Sequence, residues 1–281
     1  MVKLETTACL YIVATPIGNL TDISQRAIET LDQVALVLAE DTRHSQKLFN
    51  ALGLNKPLQS LHAHNEAQKS DEYIKFLQNG QSIALISDAG TPLISDPGFP
   101  LVRKARQENI KVVPIPGACA ITTALSASGI PCDRFLFEGF LPAKQNARCE
   151  RLKLIAKSTH TTVLYESTHR ILECIQDMQT LFPLDRQCVL AKELTKSFET
   201  FVNGTPTQIL EWLTEDPLRC KGEFVLIISP AQEEEDTAQL HDTLITLLDE
   251  LPLKQAVKIA VKLTGVNKNA VYQTALELKS K

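Results

Sequence analysis

SIALISDAGTPLISDPGFP, residues Ser82–Pro100, begins as a strand and ends as a loop. Ser82–Ser87 is a short apolar run, the pattern of a strand buried on both faces. From Ser87 to Pro100, two glycines and three prolines punctuate the chain, with Asp88 and Asp96 near the turns. Connections longer than roughly 12 residues with no secondary structure of their own are usually functional. The stretch therefore predicts a buried strand that delivers a ligand-binding loop at its carboxyl end.

The same pattern recurs on both sides. LYIVAT (Leu10–Thr15), VALVLA (Val34–Ala39) and KVVPI (Lys111–Ile115) read as further buried strands. Between the strands, SQRAIETLDQ, TRHSQKLFNAL and DEYIKFLQNG repeat apolar residues at helical spacing. Such alternation predicts a mostly parallel sheet covered by helices on both faces. Ligands of open α/β sheets bind outside the carboxyl ends of the strands, so the loops there are the candidates. In TPIGN (Thr15–Asn19), Pro16 stiffens the turn and Gly18 lets the backbone turn tightly. AEDTRH (Ala39–His44) gathers Glu40, Asp41 and Arg43 beyond a strand, as either a site or an ion pair. In PIPGACA (Pro114–Ala120), Gly117 and small side chains open a helix whose N-terminus favours a carboxylate or phosphate. Neither GxGxxG nor GxxxxGK[ST] occurs, so dinucleotide and nucleoside triphosphate binding lack their usual signals.

Beyond Pro116–Ser128 the pattern changes. FLFEGF, TTVLYES, QCVLAKEL, SFETFVNG and GEFVLIIS are strand candidates with fewer helices between them, predicting a second α/β domain with a more mixed or antiparallel sheet. The expected domains are 1–118 and 119–231. YESTHR (Tyr165–Arg170), KELTKSFE (Lys192–Glu199) and KGEF (Lys221–Phe224) are dense polar strand ends, read either as surface ion pairs or as the wall of a shared cleft. AQEEED then reads as a linker to a small helical module, 237–281, made of TLITLLDEL, LKQAVKIAVKLTG and NKNAVYQTALEL. Gly265 should stop the middle helix and Asn267 cap the last. The pair resembles a helix-turn-helix with Lys254, Lys258 and Lys262 on one face. RNA contact and docking or dimer packing both fit that shape.

The chain has 281 residues, 44% hydrophobic and 22% charged, with a formal net charge of −4. That balance argues against a general nucleic-acid binder, but it hides a swing from an acidic 231–253 to a lysine-rich 254–281. A second basic tract, Leu141–Lys157, carries Lys144, Arg148, Arg151, Lys153 and Lys157. Lysines on a solvated helix face are the plainer reading of both. The seven cysteines contain no CxxC and read as free thiols of a reducing compartment. No apolar run reaches membrane-span length and no cleavable signal is evident, so a cytoplasmic chain is expected. HAHNE (His62–Glu66) has two histidines and a carboxylate but no further ligand cluster. A polar turn is expected there, and no metal site.

Taken in order, TPIGN, AEDTRH, HAHNE, SDAGTPLISDPG, PIPGACA, FEGFLPAK, YESTHR, ELTKSFE and KGEFVLI resemble the ribosomal RNA small subunit methyltransferase I family, a branch of the tetrapyrrole methylase (class III methyltransferase) superfamily. The tail resembles that family's C-terminal extension. The chain departs from the pattern at Ala14, where many relatives have glycine, and at Cys119–Ile121, and neither change adds enough bulk to close a pocket. The resemblance implies a homodimeric enzyme that methylates the ribose 2′-hydroxyl of a cytidine in the decoding region of 16S rRNA, with S-adenosylmethionine in the cleft between the two α/β domains. It assigns the cofactor to Pro16, Asp88, Gly90, Thr91, Gly117, Ala118, Cys119, Tyr165, Glu166, Ala191, Gly222, Glu223 and Phe224. Within this reading, Glu40 or Asp41 orients or deprotonates the hydroxyl while Arg43 holds phosphate, or the three only position RNA. His64, Lys144, Arg148, Arg170 and Lys196 are the expected RNA contacts.

Overall fold

The computed structural model describes residues 8–231 and 237–279. The acidic run at 232–236, expected to be a linker, lies outside them. The chain forms two compact units that meet at Ser229 and Pro230.

The first unit holds two five-stranded sheets. Strands β1 (Cys9–Val13), β2 (Leu36–Ala39), β3 (Leu58–Ser60), β4 (Ile83–Leu85) and β5 (Lys111–Ile115) form an all-parallel sheet in the order β3-β2-β4-β1-β5. Alternate side chains point to opposite faces. Cys9, Tyr11, Val13, Val37 and Ala84 pack with Ala27 and Leu31 of α1 (Gln25–Gln33) and Phe49 of α2 (Thr42–Leu52). Leu10, Leu36, Leu38, Ile83 and Leu85 pack with Tyr73 and Leu77 of α3 (Glu66–Gln78) and Leu101 of α4 (Phe99–Gln107). Each fully buried leucine stabilises by roughly 1.5–3 kcal/mol, which is why these strands read as apolar runs.

The second sheet is mixed, in the order β6-β7-β10-β8-β9. Its strands are β6 (Phe135–Phe140), β7 (Thr161–Ser167), β8 (Cys188–Lys192), β9 (Thr200–Gly204) and β10 (Glu223–Ile228). Only β6 and β7 run parallel. Helix α5 (Ala120–Ser128) covers one face through Ile121, Ala124 and Leu125. Helices α6 (Gln145–Ala156), α7 (Ile171–Leu181) and α8 (Pro206–Glu215) cover the other. Three helices separate these five strands against four in the first sheet, because β8 and β9 follow one another directly, as the sparser helical pattern predicts.

The turn after β1 reaches into the core of the mixed sheet, for Ile17 packs with Val189, Val225 and Leu194. Gly18 sits against the loop after β8. A Cβ added there would lie 2.5 Å from Lys196 Cγ and 2.9 Å from the Leu194 carbonyl oxygen. The lysine can swing away, but the backbone oxygen cannot. Gly18→Ala is therefore expected to loosen this seam and lower Tm by a few degrees in a thermal melt. A Gly→Ala exchange at an unconfined site would instead stabilise slightly by restricting the unfolded chain.

The second unit contains α9 (Thr237–Glu250), α10 (Leu253–Thr264) and α11 (Lys268–Lys279) around Leu240, Leu244, Val257, Ala260, Val271 and Ala275. Gly265 ends α10 at φ 72°, and the Asn267 side chain accepts the Asn269 amide at 2.9 Å. Among the described residues, no helix is long and apolar enough to cross a membrane.

Candidate functional site

In the first sheet the chain leaves β1 towards β2 and leaves β4 towards β5, in opposite directions across neighbouring strands. This is a topological switch point, where the loops part and leave a crevice. Thr15 and Gly90 lace its floor with two backbone hydrogen bonds of 2.9 and 3.1 Å. Gly90 has φ 82°, a left-handed backbone that glycine adopts without strain. Leu93 and Ser95 in the same loop also have positive φ, 73° and 69°, which costs non-glycine residues about 1 kcal/mol or more each. The loop is held at both ends, for the Gly98 amide donates to Glu66 at 2.6 Å and the Thr91 hydroxyl to the Ala118 carbonyl at 3.1 Å.

A cavity of about 490 Å³ opens above this floor, within the ordinary range for a small-molecule site. The segments around the parallel sheet contribute Ile17, Asp88–Thr91 and Ile94–Asp96. Those around the mixed sheet contribute Cys119, Ala120, Phe140, Tyr165–His169, Leu194 and Gly222–Val225. Thr168 ties two strand-end loops of the mixed sheet together, its hydroxyl donating to the Gly222 carbonyl at 2.7 Å and accepting the Gly222 amide at 2.8 Å. One wall is apolar (Ile17, Leu194, Phe224, Val225), and the carboxylates Asp88, Asp96 and Glu223 also line the space. Burial pushes Asp96 up to about 6; the Ser87 hydroxyl opposes that, while the charges of Glu40 and Asp88 add to it.

Of the residues expected to hold the cofactor, Asp88, Gly90, Thr91, Cys119, Tyr165, Glu166, Gly222, Glu223 and Phe224 line the cavity. The others are not among the lining residues. Pro16 is half-buried next to Ile17. Ala191 is fully buried beneath the wall. Ala118 offers its carbonyl to Thr91. Gly117 is small for the sake of Ala14, whose Cβ would lie 2.9 Å from an added Cβ. Glu166 lines the cavity yet is engaged, accepting the Ser167 amide at 2.8 Å and Arg170 at 3.2 Å. Asp96, Ser167, Thr168 and His169 also line the cavity; the sequence marks Asp96 only as an acid near a turn and carries no signal for the other three beyond the polar density of YESTHR.

Glu40, Asp41 and Arg43 are not among the lining residues. Asp41 caps α2, accepting the Arg43 amide at 2.8 Å and its guanidinium at 3.2 and 3.0 Å, and these bonds hold its carboxyl down at about 2. The Asp41 amide in turn donates to Asp88 at 3.1 Å, joining this loop to the cavity. Glu40 is raised by burial and by Asp88, an effect that His62 partly opposes.

The expected RNA contacts separate. His64 and Lys144 are exposed. Lys196 bridges Glu193 at 2.9 Å and Glu223 at 2.8 Å, and Arg170 pairs with Glu166. Arg148 is a correction. It is 1% exposed, with Nε 2.7 Å from Asp177 and a terminal nitrogen 3.2 Å from Glu173, so it is a core ion pair closed to RNA. HAHNE forms the turn into α3, where the His62 amide donates to Asn65 at 2.9 Å, and no cluster able to hold a metal occurs among the described residues. None of the seven cysteines is in a disulfide. Burial pushes the Cys174 and Cys188 thiols up to about 12, which leaves them unreactive.

A parallel sheet and a mixed sheet with a cavity between their strand ends make this an α/β protein of the methylase fold. The family of tetrapyrrole (corrin/porphyrin) methylases matches residues 9–210, and the RsmI C-terminal HTH domain matches residues 234–279. Among solved structures, diphthine synthase aligns with a TM-score of 0.59 over 79% of this chain and 90% of that one at 15% identity. The methyltransferase CobJ aligns at 0.58 over 80% and 95% at 12% identity, a likeness of fold alone. Ribosomal RNA small subunit methyltransferase I of Pasteurella multocida (strain Pm70) is 54% identical over 275 residues, 96% of this chain and 98% of that protein. Its counterpart in Escherichia coli O157:H7 is 53% identical, covering 95% and 94%. The chain therefore belongs to the tetrapyrrole methylase family and, within it, to the ribosomal RNA small subunit methyltransferase I family.

Proposed function

We propose that the chain methylates the ribose 2′-hydroxyl of a cytidine in the decoding region of 16S rRNA, using S-adenosylmethionine held in the cavity, as a cytoplasmic homodimer. The observation that carries the reading is the near full-length likeness to small subunit rRNA methyltransferases together with a cavity of fitting chemistry. An apolar wall beside Asp88 and Asp96 suits a purine attached to a cationic sulfonium and ammonium. The exposed edge strand β6, with Phe135 41% and Leu136 45% exposed, supports pairing between two copies.

Bound S-adenosylmethionine would supply a methyl group activated on a sulfonium. The chain's task is to bring an unpaired ribose hydroxyl into line with it, since alignment supplies much of the rate. Phe140, 53% exposed at the cavity and tilted against Tyr165 at 5.7 Å, offers a ring on which a base can rest. Asp41, low and locked to Arg43, is a poor proton acceptor. Glu40, its carboxyl raised by burial and by the charge of Asp88, is the better match for an alcohol proton. Arg43, with its side chain 89% exposed, is free on its outer edge for phosphate, as are His64 and Lys144.

Mapping tritium from labelled cofactor on small-subunit rRNA, naked and assembled, tests the substrate. Label on a ribose oxygen of one cytidine is the expected result, and label on a small molecule or on no RNA overturns the reading. Glu40→Gln is expected to slow single-turnover transfer by at least ~100-fold with cofactor affinity within about twofold. Asp41→Asn should weaken RNA binding more than it slows transfer. An unchanged rate in Glu40→Gln removes Glu40 from the chemistry.

A further inference from the structure

The helical unit after Pro230 is built with its charges sorted. Helix α9 carries Asp242, Asp249 and Glu250 and no lysine or arginine. Helices α10 and α11 carry Lys254, Lys258, Lys262, Lys268 and Lys279 against Glu277 alone. The core of the unit uses Ala256, Val257 and Ala260 from α10 and Val271 and Ala275 from α11. At 100° per residue, these positions turn Lys258 and Lys262 to the solvent side of α10, with Ile259 and Leu263 in the next row. On α11 the same geometry turns Asn269, Tyr272, Gln273 and Leu276 outward, with Lys268 at their margin. All are exposed, Leu263 by 68% and Tyr272 by 41%. None of Lys258, Lys262 and Lys268 enters an ion pair among the described residues. None of these side chains belongs to the buried core cluster of the unit.

We propose that this unit is a second RNA-docking element, gripping a structured segment of ribosomal RNA away from the methylated nucleotide. The proposal deepens the rRNA reading and rests on it. Beside Leu276, the outward face of α11 carries groups that read RNA: a phenol ring for stacking, two amides for base edges and a lysine for phosphate. Helix α10 adds two unpaired ammonium groups one turn apart. Glu277 is the sole acidic residue in the two helices, so the face complements a polyanion. The three-residue turn Gly265–Asn267 fixes α10 and α11 as a rigid pair, the arrangement in which a second helix is presented to a nucleic acid. A chain of net charge −4 can thus bind RNA through a local patch while its remaining surface stays repulsive.

The test uses the full chain carrying Lys258→Gln with Lys262→Gln, and separately Tyr272→Ala and Tyr272→Phe. For the double lysine variant, KM for small-subunit rRNA should rise ~10-fold with kcat within about twofold, and the dependence of log affinity on log salt should flatten by roughly 1.4–1.8. Tyr272→Ala should raise KM several-fold without altering that slope, and Tyr272→Phe should restore it. Calorimetry should find S-adenosylmethionine affinity unchanged in every variant, which rules out misfolding of the methylase unit. Unchanged KM and salt slope in the lysine variant would overturn the proposal. So would a Tyr272→Ala variant that changes sedimentation of the protein alone but not its RNA affinity, since the face would then join two copies. If the wild-type chain transfers no methyl to rRNA, the substrate reading fails. Binding of small-subunit rRNA without turnover still decides this one.

Discussion

Arg148→Ala is expected to destabilise the methylase unit by about 3–5 kcal/mol, the usual result of leaving a buried charge unpaired. Asp177, 7% exposed, would keep its carboxylate in the core without a cation, held by Gln145 donating at 2.9 Å and by the Cys149 thiol. For a domain of this size the loss should appear as a fall in Tm on the order of 10 °C. Replacing both partners, Arg148→Met with Asp177→Leu, should recover most of it, because two apolar side chains of similar volume leave nothing unsatisfied. Where the double variant folds, its RNA affinity should match that of the wild type. A drop in affinity with unchanged stability would return Arg148 to the RNA-binding surface.

Asp96→Asn is expected to weaken S-adenosylmethionine binding by roughly 10–100-fold, the range for losing a charge-assisted contact, while raising the Tm of the cofactor-free protein at pH 7.5. The sign follows from the pKa. The Asp96 carboxyl is raised to about 6 in the folded chain, against about 3.9 in an unfolded one. The folded state therefore holds the proton more tightly, and ionised Asp96 is a stability penalty that grows as pH rises from about 4 to 6 and persists above. Asparagine removes a penalty on the order of 2 kcal/mol. Cofactor affinity should run the other way, rising with pH through about 6 in the wild type as the carboxylate forms. In Asp96→Asn that rise should disappear. Calorimetric titrations between pH 5 and 8 check both trends, and an undiminished affinity in the variant would separate Asp96 from the cofactor.

Local pattern sufficed for much of this protein. β5, β6 and β7 lie where their apolar runs place them; for β7 the reason is burial on both faces, while β6 is an apolar edge strand that stays partly exposed. Gly265 ends α10 for a reason internal to the backbone. β3 was not legible: three residues, Leu58–Ser60, are too few to show a period. α4 was hidden for a different reason, since its first turn, Phe99–Pro100, reads as the end of the preceding loop. The loops after β1 and β4 could be recognised as ligand-accommodating from their glycines and prolines alone.

The tertiary structure decided which of those loop residues meet. Asp96 and His169 reach the cavity and Ala191 does not, because a strand end has two faces and only the packed sheet chooses between them. Arg148 reads as one more cation in a basic tract. It becomes a core ion pair only when α7 brings Asp177 against it, 29 residues away in the chain. Sequence sets the local geometry and the class of loop. Which side chain is left facing open space is settled by contacts between distant segments, and those depend on how the layers stack.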